Sequence, residues 1–170
     1  MRSADILVDA FDRIRETVHE AVAGLTAEEL AVRIDPDANS VAWLVWHLTR
    51  IQDDHLADAA GTEQIWTAAG WADRFDLPFP ATSTGYGHSR EQVAAVRVGS
   101  PKLLTGYHDA VHANTVGYLA GLGSTALNRV VDEGWDPPVT LGVRLVSVVS
   151  DDLQHAGQAA FVHGMVRRRR

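Results

Sequence analysis

The feature that most constrains the fold is a stretch that begins at Val41 and reads VAWLVWHLTRIQDDHLADAAG. Asn39 or Ser40 can cap a helix there, and Gly61 can end it. Through Leu48 the stretch is apolar on nearly every face, and a helix with that pattern is buried from several sides. The sequence therefore predicts a long helix that begins in the core.

Three other long stretches repeat their apolar residues at helical spacing. Each carries a helix signal at one end, such as a serine cap, a proline at the first helical position or a glycine stop. The predicted limits are Ser3 to Gly24, Ser100 to about Leu122, and Val139 to Val166. Four long helices in one core predict an all-α four-helix bundle, with a single domain over residues 1–170.

Shorter elements are expected between the long helices. Capping boxes at Thr26 and Ser89 predict two short helices. From Gly61 to His88 the helical spacing of apolar residues is lost, and the sequence is rich in Gly, Pro, Thr and aromatic residues. This stretch is too long for a plain connector. We expect a packed loop there, between the second and third long helices. Residues 125–140 favour a two-stranded ribbon or an extended segment before the last helix.

Composition and charge exclude several classes of protein. No run of about 18 uncharged apolar residues is present, so we expect no membrane span. The first residues carry Asp5, Asp9 and Asp12, unlike a secretory signal, and this predicts a cytoplasmic protein. A net charge of −7 opposes binding to nucleic acid, and the basic cluster at 167–170 is interpreted as a solvated tail. A small-molecule partner is expected.

The absence of cysteine narrows the chemistry. With no cysteine in the chain there is no disulfide framework and no cysteine nucleophile, and a metal would have to be held by His, Asp or Glu. His108 and His112 have the i, i+4 spacing of a metal-binding pair. Tyr107, Val111 and Tyr118, however, are taken as the apolar stripe, and the two histidines lie about 100–140° away from it. We therefore expect this pair on a solvated face.

Among the remaining histidines, His155 has the i, i+4 spacing with a carboxylate, that of Asp151. Val148 and Val162 share its helix face, which places the pair toward an apolar interior. A carboxylate there is costly unless a metal, a salt bridge with Arg144 or a water network satisfies it. Surface positions are expected for the histidines that have no partner at ligand spacing, which are His19, His55, His88 and His163.

His47 is the natural third member of this site. It interrupts the sequence WLVWHL, in which every neighbour is apolar, and a buried imidazole needs a polar partner. A hydrogen bond to a backbone carbonyl is the plainer alternative.

Two segments of the sequence resemble the signatures of a known family. Trp43-Leu-Val-Trp-His47-Leu, followed by acidic residues, and Asp151-x-x-x-His155-Ala-Gly-Gln158 resemble the paired signatures of the DinB-like superfamily. The order of the elements is similar over nearly the whole chain. The resemblance implies a four-helix bundle with a three-ligand metal site. The family includes thiol-dependent S-transferases and the metal-binding domain of mycothiol-dependent maleylpyruvate isomerase.

By that resemblance His47, Asp151 and His155 fall on the ligand positions for a divalent metal, zinc or nickel. Gln158 and Arg144 become candidates for supporting a ligand or binding substrate. Many members carry His at the position of Asp151, whereas a subset that resembles the isomerase carries a carboxylate. Two histidines and a carboxylate form a recognised catalytic zinc set that leaves one position open. The resemblance also implies a homodimer.

An open metal position could activate a thiol or a water molecule. Because the chain has no cysteine, a low-molecular-weight thiol of the mycothiol type would supply the sulfur. This agrees with the S-transferase activity that the resemblance implies, acting on an unknown electrophile in detoxification. A metal-free ligand-binding or dimeric interaction module and a metal-dependent hydrolase are the alternatives. Four aromatic residues either wall an electrophile pocket or pack in the core: Trp66, Trp71, Phe79 and Tyr86.

Overall fold

Side-chain caps begin two of the long helices in the computed structural model, which describes residues 2–123 and 125–169. Ser40 Oγ accepts a hydrogen bond from the backbone N–H of Trp43 at 3.1 Å. Thr140 Oγ1 accepts one from the backbone N–H of Val143 at 3.4 Å. Each bond satisfies a donor that the first turn of a helix leaves without an intrahelical partner, so the caps fix where these helices start.

The first helix differs from the prediction at its cap. It begins at Ser3, but Ser3 is its first helical residue and not its cap. Arg2 occupies the cap position, and its backbone N–H donates to Asp5 Oδ2 at 2.8 Å. The predicted cap was wrong by one residue, and no serine hydroxyl caps this helix.

The chain forms four long helices, four short ones, a 3₁₀ turn and two short strands within the described residues. The long helices are α1 (Ser3–Val22), α3 (Val41–Ala60), α7 (Pro101–Ala120) and α8 (Leu141–Arg167). The short helices are α2 (Ala27–Leu30), α4 (Ile65–Ala68), α5 (Trp71–Phe75) and α6 (Arg90–Ala95). The 3₁₀ turn is Ala126–Asn128, and the strands are β1 (Val130–Asp132) and β2 (Val139–Thr140).

The long helices make the predicted four-helix bundle. α8 packs against α1 and α3, and α7 packs against the same two helices, so α1 and α3 occupy opposite corners. The core between them is apolar and includes Phe11, Ile14, Leu48 and Leu145. In the part of the chain that the structure describes, no helix is long and apolar enough to span a bilayer.

The predicted ribbon precedes α8. β1 and β2 pair antiparallel, with Val130 opposite Thr140 and Asp132 opposite Val139 across an irregularity in the register. The ribbon returns the chain to the bundle at Thr140, which is also the cap of α8. The ribbon therefore fixes where α8 begins, and with it which residues of α8 face α3.

Residues 61–88 cover the side of α3 that the other long helices leave open, which confirms the packed loop. Arg50 is fully buried and holds this loop by its backbone. Its Nε donates to the carbonyl of Ser83 at 3.2 Å, and its Nη2 donates to the carbonyl of Ala81 at 3.3 Å. This cover explains why α3 is buried on every face from Val41 through Arg50.

A buried carboxylate fixes the start of the same loop. Asp53 accepts hydrogen bonds from the backbone N–H groups of Ile65 at 2.9 Å and Trp66 at 2.7 Å, at the start of α4. The hydroxyl of Tyr107 donates to it at 2.8 Å, and Arg50 lies 3.7 Å away. Burial raises the pKa of Asp53, while these hydrogen bonds lower it. The loop is thus anchored to charged groups inside the core.

Candidate metal centre

His47 projects from the fully buried half of α3 and is 5% exposed. Its Nδ1 lies 2.6 Å from the carbonyl oxygen of Thr84. A carbonyl can only accept, so Nδ1 carries the proton and Nε2 keeps its lone pair. Burial lowers the pKa of His47, and the hydrogen bond to Thr84 opposes that effect. The carbonyl bond expected as the plainer alternative is present, but it uses only one of the two ring nitrogens.

The imidazole of His47 is also held by its neighbours. The Trp43 ring stacks on it with a centroid distance of 4.5 Å and an interplanar angle of 17°. Gly85 follows Thr84 with φ +94°, and a Cβ there would lie 2.8 Å from His47 Nδ1 and 2.9 Å from the ring of Trp46. Only glycine combines that backbone angle with so close an approach.

Asp151 and His155 lie on adjacent turns of α8, facing His47. Asp151 Oδ1 is 3.7 Å from His155 Nε2, and the rings of His47 and His155 have centroids 4.8 Å apart. One ligand atom from each of the three residues lies within 4.8 Å of the other two. The packing of α3 against α8 therefore brings together the three residues that the sequence selects.

The carboxylate of Asp151 shows that these residues fit a cation. Its Oδ2 is buried and has no hydrogen-bond partner among the described residues. Arg144 was the alternative partner, but its Nη2 donates to Asp132 Oδ2 at 2.8 Å and its Nη1 lies 3.5 Å from His55. An unpaired buried carboxylate oxygen is costly, and a divalent cation between it and two imidazoles would remove that cost. A role of Arg144 toward substrate stays a prediction.

Gln158 supports the ring of His155. Its Oε1 lies 3.2 Å from His155 Nδ1, and an amide oxygen accepts, so Nδ1 donates. Nε2 of His155 is then the nitrogen that faces Asp151. Partners of this kind fix the tautomer and the orientation of metal-binding histidines. A role of Gln158 in supporting a metal ligand stays a prediction.

His88 is a residue of this region that sequence reasoning missed. Its Nδ1 accepts a hydrogen bond from Trp43 Nε1 at 3.2 Å, and its Nε2 lies 3.0 Å from Ser83 Oγ. Its ring stacks on Trp46 with centroids 5.7 Å apart. The expectation of a surface position was only partly right, because the loop folds back onto α3 and leaves His88 half-buried. The only sequence signal was the richness of that loop in aromatic residues.

The predicted solvated face of α7 was wrong for His108. This residue is fully buried, and its Nδ1 lies 3.1 Å from Thr49 Oγ1. The buried face of α7 includes Leu104 and Thr115, so it is rotated toward His108 relative to the predicted stripe. His112 lies at the margin and contacts a carboxylate of α1 at 2.7 Å. Neither histidine is part of the His47–Asp151–His155 group.

The four aromatic residues of the long loop divide between the two predicted roles. Trp66 and Phe79 line a cavity of about 210 Å³ together with Trp46. Trp71 packs against α7, and Tyr86 is 89% exposed. A cavity walled by all four aromatic residues is therefore not formed.

A four-helix bundle with a histidine on α3 facing a carboxylate and a histidine on α8 has the architecture of the DinB-like superfamily. The chain belongs to one family within it. The family model described as mycothiol S-transferase matches residues 6–167. Membership supports mycothiol-related S-transfer in general as the activity of this family.

A solved structure shares the whole fold. The crystal structure of the conserved protein of locus from Enterococcus faecalis is 32% identical in sequence, with a TM-score of 0.91, and the match covers 98% of each chain. Among curated proteins, no match to the chain was found.

Proposed function

We propose that this protein is a metal-dependent S-transferase that joins a low-molecular-weight thiol of the mycothiol type to an electrophilic small molecule, as a detoxification step. His47, Asp151 and His155 hold the cation, which we propose to be zinc or nickel. The buried Asp151 oxygen carries this proposal, because it lacks a partner among the described residues and its carboxylate lies beside two imidazoles. The name of the family supports the thiol.

The chemistry divides between the cation and the chain. A divalent cation at this site would supply the positive charge that stabilises the thiolate form of a cosubstrate at neutral pH. The chain's own residues orient the ligands: Thr84 fixes the ring of His47, and Gln158 fixes that of His155. In the transfer the thiol loses its proton to solvent water, and its sulfur bonds to the electrophilic carbon. The leaving group departs with the electron pair of the broken bond.

Metal content tests the ligand set. We expect stoichiometric metal in protein purified without a histidine tag, and its loss in His155→Ala without unfolding of the bundle. His112→Ala is the matched control, because this histidine also lies on a bundle helix and contacts a carboxylate but is outside the group. Elemental analysis and circular dichroism of the three proteins measure both properties. Equal loss of metal in the two variants would contradict this ligand set and assign the metal site to α7.

Turnover tests the reaction class. The metal-loaded protein is assayed against a panel of thiols and electrophiles, and we expect product only when both metal and thiol are present. The rate should rise with pH until the thiol has ionised. Hydrolysis of an ester or amide that a chelator abolishes, with no effect of any thiol, would replace the S-transferase with a hydrolase. Protein that never binds metal would favour the ligand-binding module.

A homodimer and a cytoplasmic location are part of the proposal. The first half of α8 exposes Val143, Val146 and Leu153, which are 57%, 61% and 46% exposed. Apolar side chains that recur on one exposed helix face favour association with a second copy. A reducing compartment such as the cytoplasm keeps a cosubstrate thiol reduced.

A further inference from the structure

A groove of about 380 Å³ lies between the segment that precedes α3 and the second half of α8. Ile34 and Ala38 form one wall, Phe161 and Val162 form the other, and Leu44 contributes from α3. Among the described residues that line it, none has an ionisable side chain. Its volume is within the range of about 300–1,000 Å³ that small-molecule sites have.

The groove adjoins the candidate metal centre through Gln158. Gln158 lines it and also accepts the hydrogen bond from His155. Leu44 lies three residues before His47 on α3, and Gly157 lies two residues after His155 on α8. The contact of 3.2 Å between Gln158 Oε1 and His155 Nδ1 therefore brings the groove to the ring of one proposed ligand.

Hydrogen bonds hold the wall formed by Ile34 and Ala38 in place without a ligand. Arg33 Nε donates to the carbonyl of Ala38 at 2.6 Å, and its Nη1 donates to the carbonyl of Arg90 at 3.0 Å. Asp35 Oδ1 accepts from the backbone N–H of Ala38 at 2.8 Å. A wall fixed in this way costs little ordering entropy when a ligand binds.

We propose that this groove binds the apolar body of the electrophile, with its reactive carbon directed at the metal centre. The occupant is a neutral molecule with an aromatic or branched alkyl group, because the walls offer apolar surface and only the side-chain amides of Asn39 and Gln158 as polar groups. A water-soluble thiol would lose hydration there without gaining a charged partner. Phe161 is 59% exposed at the rim, and such a ligand would cover it. The inference rests on the proposed function for the reaction that follows binding.

Two helical glycines provide a matched pair of variants. Gly157 lines the groove, and a Cβ at this position would meet nothing within 4 Å. Gly157→Leu therefore places a side chain in the groove without a clash with the bundle. Gly117 on α7 is also exposed and equally open, and it is outside the groove. Leucine has a higher helix propensity than glycine at either position, so both variants should fold.

Direct binding is measured with the neutral fluorescent probe N-phenyl-1-naphthylamine, in metal-loaded and metal-free protein. We expect affinity about tenfold weaker in Gly157→Leu and unchanged in Gly117→Leu. Phe161→Ala, which truncates an exposed side chain, should weaken binding severalfold. Equal affinity in wild type and Gly157→Leu would overturn the proposal, since the probe would then occupy another site. Metal content of each variant is measured alongside.

Kinetics assign the occupant. With 1-(chloromethyl)naphthalene as electrophile, KM for the electrophile should rise about tenfold in Gly157→Leu and stay unchanged in Gly117→Leu. A rise in KM for the thiol alone would overturn the assignment and give the groove to the cosubstrate. Wild-type protein that transfers no thiol would refute the proposed function, and the probe experiment would still decide the groove.

Discussion

Replacing Gly85 with alanine should damage the metal centre as well as the fold, and Gly87 provides the control. Both glycines have positive φ, +94° and +72°, where a side chain costs about 1–2 kcal/mol. At Gly87 a Cβ would meet nothing within 4 Å. At Gly85 it would lie 2.8 Å from His47 Nδ1 and 2.9 Å from the Trp46 ring. Only Gly85→Ala therefore introduces a close contact with His47.

The magnitude follows from these contacts. Ordinary carbon contacts begin at about 3.5 Å, so the loop or the imidazole must shift by about 0.7 Å. A shift of this size disrupts the 2.6 Å hydrogen bond from His47 to Thr84 and leaves a buried donor unpaired, at a cost of about 1–3 kcal/mol. Gly85→Ala should then lower the free energy of unfolding by about 2–5 kcal/mol, against about 1–2 kcal/mol for Gly87→Ala. Loss of the orienting bond should weaken cation affinity by about 10–100-fold.

Two measurements separate these effects. Urea unfolding of the metal-free proteins gives the free energy of unfolding, and competition with a chelating indicator gives cation affinity. We expect Gly87→Ala to keep wild-type affinity and Gly85→Ala to lose it. If the two variants bind the cation equally well, the reasoning about Thr84 and His47 is refuted, whatever their stability.

Two further predictions concern pH and assembly. Burial lowers the pKa of His108 from 6.5 to about 3, so the native protein excludes a proton that the unfolded chain takes up below pH 6.5. Relative to His108→Gln, wild type should lose about 2 kcal/mol of stability between pH 7 and pH 5, and equal losses in urea unfolding would contradict this. Light scattering should give twice the chain mass of 18.5 kDa. Val146→Glu should halve that mass and Gln154→Glu should not, whereas a wild-type mass of 18.5 kDa would end the dimer proposal.

The long helices were predictable because their signals are local. Ser40 and Gly61 begin and end α3 through contacts within a few residues, so the sequence around them contains the whole cause. The grouping of the three candidate ligands was predictable for a similar reason. Asp151 and His155 are one turn apart on α8, and His47 is a polar residue in an apolar run.

The phase of α7 was not predictable from local pattern alone. The helix contacts α1, α3, α4 and α5, so its buried face is wide and extends past the stripe that Tyr107 and Val111 define. His108 lies within that wider face and pairs with Thr49 of α3. His108 was assigned to the solvated face because the sequence shows the apolar stripe of α7 but not the neighbouring helices that widen its buried face.

The anchoring of the long loop was missed for a different reason. Arg50 and Asp53 bind mainly backbone groups of residues 65–83, and a backbone carbonyl or N–H leaves no trace in the sequence. In a helix they resemble ordinary charged residues. Only the burial of both side chains, visible in the folded chain, identifies them as interior anchors.

These anchors link the loop to the metal centre energetically. The carbonyl of Ser83 accepts from Arg50, and the next carbonyl, that of Thr84, accepts from His47, so one short segment of the loop is fixed at two points on α3. If His47 binds a cation as proposed, Thr84 should raise the affinity by orienting the imidazole. Linkage then requires that a bound cation stabilise the docked loop by the same free energy. Residues 83–85 supply none of the proposed ligands, yet by this reasoning they should influence how tightly the cation binds. A chain in which this segment is loosened should therefore lose metal affinity and loop order together, with Asp151 and His155 unchanged.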